Sequence, residues 1–152
     1  TGERTLRYTS EEIDAIFDTY EIGAYTFMLL SLLYPNLKYS QKGFHQDHMH
    51  PYAGFEESKI ANLKLPDGSI IDDVRKDEWR RRRNTLANLQ LLEGRENERK
   101  NATPLVDWIE VTANSENAKY MPSDSSFELS HFEDFMDKRQ KLMSDALKAI
   151  LL

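Results

Sequence analysis

The run Tyr25 to Tyr34, YTFMLLSLLY, limits the possible folds of this chain more than any other stretch. It is about half the ~20 apolar residues that a membrane span needs, and a helix that is apolar nearly all round has no face to offer water. It therefore belongs inside a globular core, as a helix expected from about Ile22 to Tyr34 and stopped by Pro35. With 152 residues, 39% of them hydrophobic, the chain can bury one such core but not two comfortable domains. A single domain over 1–152 is expected. No charged-then-apolar signal segment opens the sequence, so a soluble, cytoplasmic protein without a membrane partner is expected.

Other elements must cover that helix. Ser10 is read as the N-cap of a first helix in which Glu11 and Glu12 suit the positive dipole end and Ile13, Ile16, Phe17 and Tyr20 recur at helical spacing. From Tyr39 to Met49 the pattern is short and extended, with Gly43 as a bulge. Pro66-Asp67-Gly68 signals a turn, and Asp72 to Asn84 reads as a polar helix. Leu86 to Leu92 is the best candidate for a second strand, closed by Glu93-Gly94. Pro104 suits the first turn of a helix reaching about Val111, and Asn114 to Ser126 reads as a loop. Ser130 and Glu133 are read as the capping box of a last helix, whose apolar side is Phe132, Phe135, Leu142, Met143, Ala146 and Ile150, with Arg139 among them. No internal repeat or low-complexity tract is visible.

The chemistry concentrates in Phe44-His45-Gln46-Asp47-His48-Met49-His50-Pro51, which holds three of the four histidines. The chain has no cysteine, so disulfides, a thiol nucleophile and thiolate zinc sites are excluded, and any metal must take His, Asp, Glu or Asn. Extended backbone puts His45 and Asp47 on one side, His48 and His50 on the other. A bend at His48 would let both sets converge, with Asp47 on a hard cation beside an imidazole able to take a proton from water near pH 7.

Asp47-His48-Met49-His50-Pro51, then Asn88-Leu89-Gln90-Leu91-Leu92, then Asn97 within Gly94 to Asn101, resembles the HNH, or His-Me finger, nuclease motif. More narrowly, the set is similar to the C-terminal nuclease domain of GmrSD-type and SspE-type restriction and phage-defence proteins. The resemblance spans roughly Tyr25 to Trp108 plus the closing helix. It implies an α+β, mainly α fold in which a ββα-metal motif, with a short two-stranded hairpin-like sheet, is embedded among helices. The expected parts are N-terminal helices over 1–38, a ββα-metal core over 39–112 with an insertion over 52–84, and a C-terminal helix over 127–152.

The same resemblance implies His48 as the general base against a DNA phosphodiester and Asn88, on the second strand, as the residue holding the His48 loop. It implies Asp47 and Asn97 as ligands of Mg²⁺ or Mn²⁺, with His45 a further candidate ligand. His50 is expected to pack or to contact phosphate, and His131 to lie on the surface. The start at Thr1-Gly2 and the match to a C-terminal region suggest part of a larger bacterial or archaeal protein with an N-terminal nucleotide-dependent sensor domain.

The net charge of −6 argues against nucleic acid until its distribution is considered. Between Arg75 and Lys100 nine Lys or Arg face five Asp or Glu, a local excess of four that leaves the remaining chain at −10. Arg80, Arg82, Arg83, Arg95, Arg99 and Lys100 are the candidate DNA contacts, and Arg80 or Arg81 is the candidate structural ion-pair partner. Two other functions compete. The His45-Asp47-His48 cluster resembles the tail of the metallo-β-lactamase motif His-x-His-x-Asp-His, although Gly43 stands where its first His would be, and suggests a zinc-dependent hydrolase. A non-catalytic DNA-binding or assembly module is the other.

Overall fold

Among the described residues, 7–39 and 43–152 of a computed structural model, seven α-helices surround one two-stranded antiparallel sheet. The architecture is α+β and mainly helical. No described helix is long and apolar enough to cross a membrane.

Helix α1 (Ser10–Thr19) starts one residue earlier than Ser10 as cap would place it: Thr9 is extended, and its side chain accepts from Glu12 N at 3.1 Å. Ile13, Ile16 and Phe17 are buried, while Tyr20 falls beyond the helix and is exposed. Helix α2 (Ala24–Leu33) is the core helix, with Leu29, Leu30, Leu33 and the following Tyr34 fully buried.

Strand β1 (Phe44–His48) follows; residues 40–42 of the expected extended stretch lie outside the described residues. Gly43 forms no bulge, because the ladder runs on without a break and Gly43 O accepts from Gly94 N at 3.2 Å. Helix α3 (Glu57–Ile60) is short, and the Pro66-Asp67-Gly68 turn closes a small bridge between Lys64 and Ile70, with Gly68 at φ 84°. Helix α4 (Asp73–Arg82) is capped by Asp72 through Arg75 N at 2.8 Å.

The second strand is shorter than expected. Leu86–Asn88 form a 3₁₀ turn, and only Leu89–Glu93 make β2, so Asn88 precedes the strand instead of lying on it. Asn88 N donates back to Thr85 O, which commits that backbone to the turn. The register pairs His48 with Leu89, Asp47 with Gln90 and Phe44 with Glu93. Helix α5 (Gly94–Lys100) leaves β2 directly and contacts both strands; α6 (Leu105–Thr112) and α7 (Phe132–Leu151) complete the fold.

No Ser130–Glu133 capping box forms. A 3₁₀ turn at Leu129–His131 leads into α7, and the Glu133 carboxylate binds Arg75 and Trp79 Nε1 (3.0 Å) on α4 instead. That pairing joins α4 to α7, and the Arg75 guanidinium holds Glu133 below the usual carboxylate range. The buried side of α7 is Phe132, Phe135, Met136, Arg139, Met143 and Leu147; Leu142 and Ile150 face solvent. His131 is half-buried and lines a shallow surface pocket with Pro66, Asp67 and Glu133.

A two-stranded sheet leaves the outer carbonyls of β2 without a third strand to pair with. Side chains take that place. Arg139, fully buried on α7, donates to Ala87 O (2.8 Å), Leu89 O (2.9 Å) and the Tyr34 hydroxyl (2.7 Å). Asn117 donates to Leu91 O at 2.8 Å. Arg139→Met leaves three buried acceptors unpaired and is expected to cost about 2–4 kcal/mol, against about 1 kcal/mol for Asn117→Ala. Urea unfolding measures both, and equal small effects would refute the assigned ranking.

Candidate functional site

Strand alternation sends Asp47 and His48 to opposite faces of the sheet, yet both line one cleft of about 230 Å³ where β1 ends. Pro51, Tyr52, Ala53, Asn101 and Ala102 complete its walls. The closing element is the segment after α5, where Asn101 takes a positive φ of 44°.

On the α5 face, Asp47 is 8% exposed and its Oδ2 accepts from Lys100 Nζ (3.1 Å) and Gln90 Nε2 (3.0 Å). Its Oδ1 takes no hydrogen bond from the described residues. Lys100 is fully buried and also donates to His48 O at 2.7 Å, so one ammonium ties together the backbone and the carboxylate of the two adjacent residues. Burial pushes the Lys100 pKa down, and Asp47 opposes that shift. Lys100 is therefore corrected from DNA contact to internal counter-charge, because its ammonium is enclosed between α5 and β1.

On the other face, His48 Nε2 lies 2.8 Å from Asn84 Oδ1, at the end of α4. An amide oxygen only accepts, so Nε2 carries the proton and Nδ1 keeps the lone pair. Burial lowers the His48 pKa below its ordinary value; the bond to Asn84 and the charge of Asp47 pull it back up, and Lys100 and Arg83 add to the lowering. The ring is neutral near pH 7. Asn84 lies where a sequence reading sees only the end of a polar helix, and no motif points to it. Its place depends on long-range contacts: its carbonyl accepts from Ile22 N at 2.9 Å, next to the Glu21–Thr85 bridge.

Asn88 is fully buried; its Oδ1 accepts from His50 N (2.9 Å) and its Nδ2 donates to His50 O (3.1 Å) and Arg83 O (2.9 Å). It thus joins the turn after His48 to the segment after α4. His50 is buried edge-on against Phe132 and Phe135, and burial pushes its pKa down to about 3. Its side chain packs in the interior.

The remaining candidates separate. His45 is exposed and lies against Gly94, at the start of α5. Asn97 is half-buried and does not line the cleft of Asp47 and His48; Asn101, one turn later, does. Among the described residues no three His, Asp or Glu converge to hold one ion, so His45, Asp47 and His48 do not form a zinc-type ligand set. The donors present fit a different ion. The Asp47 carboxylate and the Asn101 amide line the same cleft, and oxygen is the donor type that a hard cation takes.

The arginines of α4 are largely occupied. Arg80 binds Glu57 (3.2 Å) and Phe55 O, Arg81 binds Glu78 and Asp18 O, and Arg82 binds Asp137 (3.1 Å). These pairs redirect Arg80 and Arg82 from DNA contact to holding α4 against its neighbours. Arg83, Arg95 and Arg99 have no carboxylate partner among the described residues, and Arg95 and Arg99 are exposed on α5. No family model matches the chain, and no curated protein matches it.

The Asn84–His48 contact makes a prediction independent of any activity. Asn84→Asp places an anion against the imidazole and is expected to raise the His48 pKa by about one unit or more, whereas Asn84→Ala lowers it further. NMR titration of the ring protons reads both shifts, and no change in either variant would exclude the contact.

Proposed function

We propose that this chain is an HNH-type, metal-dependent DNA endonuclease. The observation that carries the reading is a neutral His48, oriented through Nε2 by Asn84, sharing a cleft with Asp47 where a two-stranded sheet meets the helix that follows it. A ββα-metal motif would be built from these same elements. The two-strand-plus-helix order and the resemblance of Asp47-His48, Asn88 and Asn97 to the nuclease motif support it together; neither would suffice alone.

In this reading His48 Nδ1 accepts a proton from water as the water oxygen bonds to phosphorus. One P–O ester bond breaks, and its oxygen leaves with the electron pair and takes a proton from solvent. The proton gained by His48 passes to solvent before the next turnover. Asp47, through its free Oδ1, and Asn101, in place of the Asn97 that the resemblance implies, would hold a divalent ion such as Mg²⁺ or Mn²⁺. When bound, that ion supplies Lewis-acid stabilisation of negative charge at the phosphate. Lys100 binds the Asp47 carboxylate and fixes the His48 carbonyl, and Asn88 fixes the next turn, so the base is held on rigid backbone. Arg83, Arg95 and Arg99 are the cations placed to meet phosphates.

Restriction or anti-phage defence, and a nucleotide-dependent sensor domain on the N-terminal side, belong to the same proposal and rest on the resemblance. Cytoplasmic location goes with them. A DNA-binding module without catalysis is the second reading, favoured only by the ion pair that already occupies Asp47.

His48→Ala is expected to lower Mg²⁺-dependent nicking of supercoiled plasmid by about 10²-fold or more while leaving the thermal midpoint nearly unchanged. Undiminished nicking at matched purity would sink the hydrolytic role. For binding, Arg95→Ala and Arg99→Ala are each expected to reduce the slope of log affinity against log salt by about 1, while Arg80→Ala leaves it unchanged. A slope that responds to Arg80 and not to α5 would place the DNA on another face.

A further inference from the structure

Tyr52 is the exposed aromatic residue of the cleft, and neither the metal nor the proton chemistry uses it. It is 54% exposed, and its ring meets the His48 ring edge-on with centroids 5.7 Å apart. Arg83 covers one face of the ring, its guanidinium carbon 3.5 Å from the centroid. More than half of the residue remains exposed although one face is covered, so the other face is open. A guanidinium over a tyrosine ring is attracted by the ring's electron density, and the contact fixes the orientation of both groups. Arg83 has a further constraint: its carbonyl is bound by Asn88, and its buried Nε has no hydrogen-bond partner among the described residues.

We propose that the open face of Tyr52 is a stacking platform for a single nucleobase adjacent to the phosphate that His48 addresses. The inference rests on the nuclease reading and adds to it how the strand is held. Charge selects the occupant. A cation without a carboxylate partner backs the ring, which suits a polyanionic strand that offers a flat base and a phosphate together; an apolar peptide would leave that charge unmatched. Stacking is indifferent to base identity, so the platform gives register without sequence preference. It also carries a structural demand on the substrate. A base that stacks on Tyr52 has left its own duplex stack, which costs least where the nucleotide is unpaired or mismatched. The chain is therefore expected to favour single-stranded, bulged or mismatched sites over a fully paired duplex.

The test uses short single-stranded oligonucleotides carrying 2-aminopurine, a base whose fluorescence is quenched on stacking, bound to the His48→Ala protein without divalent metal. Binding is followed separately by anisotropy of an end label. The expected result is quenching on binding that persists in a further Tyr52→Phe change and disappears in Tyr52→Ala, with affinity for the single strand about tenfold weaker in the latter. Equal quenching and equal affinity in Tyr52→Ala would overturn the platform. Plasmid nicking by the unaltered chain separates the two claims. Nicking without Tyr52-dependent quenching leaves the nuclease reading and removes the platform, whereas Tyr52-dependent quenching without nicking keeps the platform and removes hydrolysis.

Discussion

Arg139 is the interaction on which the site depends. A sheet of two strands has no third partner, and β2 carries its outer carbonyls into the core, where an unpaired acceptor costs about 1–3 kcal/mol. The guanidinium answers one of them, Leu89 O, and with it Ala87 O of the preceding turn, on either side of Asn88. With its backbone clamped there, Asn88 can direct both ends of its side chain to His50 and Arg83, and the turn after His48 becomes rigid. Burial lowers the Arg139 pKa, and the hydrogen bond to the Tyr34 hydroxyl is one of the contacts that keep it charged without a carboxylate. The planar fork of arginine permits this; the single ammonium of a lysine would not span the same acceptors.

Two buried cations thus serve different parts of one small sheet. Arg139 closes the outer edge of β2, while Lys100 joins β1 to α5 through His48 O and Asp47. Between them the sheet that carries His48 is held from both sides, and the imidazole is left to be oriented by a third element, α4, through Asn84. The cleft is therefore an assembly of segments distant in the chain, and Asp47 Oδ2 and His48 Nε2 have defined partners while Asp47 Oδ1 and His48 Nδ1 take none from the described residues. These two atoms are the ones that the proposed hydrolysis would use.

The basic stretch from Arg75 to Lys100 divides by geometry into three uses. Arg75, Lys76, Arg80, Arg81 and Arg82 hold α4 against α7, α3 and α1; Lys100 is interior; Arg83, Arg95 and Arg99 remain for a partner. A count of charges along the sequence sees one positive patch because the acidic residues that neutralise it, Glu57, Asp137 and Glu133, lie about 20 to 60 positions away. The same distance explains the absent capping box: Ser130 and Glu133 have the right spacing, but Arg75 and Trp79 compete for the Glu133 carboxylate and win it.

Local chemistry by itself determined the buried helix before Pro35, the polar helix that begins near Asp72, the turn at Gly68, the two extended segments and the concentration of histidines around Asp47 and His48. Each depends on periodicity, a cap, a glycine or a rare residue type, and these act within a few positions. Tertiary structure alone decided that Asn84 orients His48, that Lys100 turns inward, that Asn101 and not Asn97 lines the cleft, and that Tyr52 stands open beside Arg83. These are contacts between side chains on separate elements. Their energies are set by burial and by which partner the fold brings within reach of each donor or acceptor, and neither is encoded in the spacing of residues along the chain.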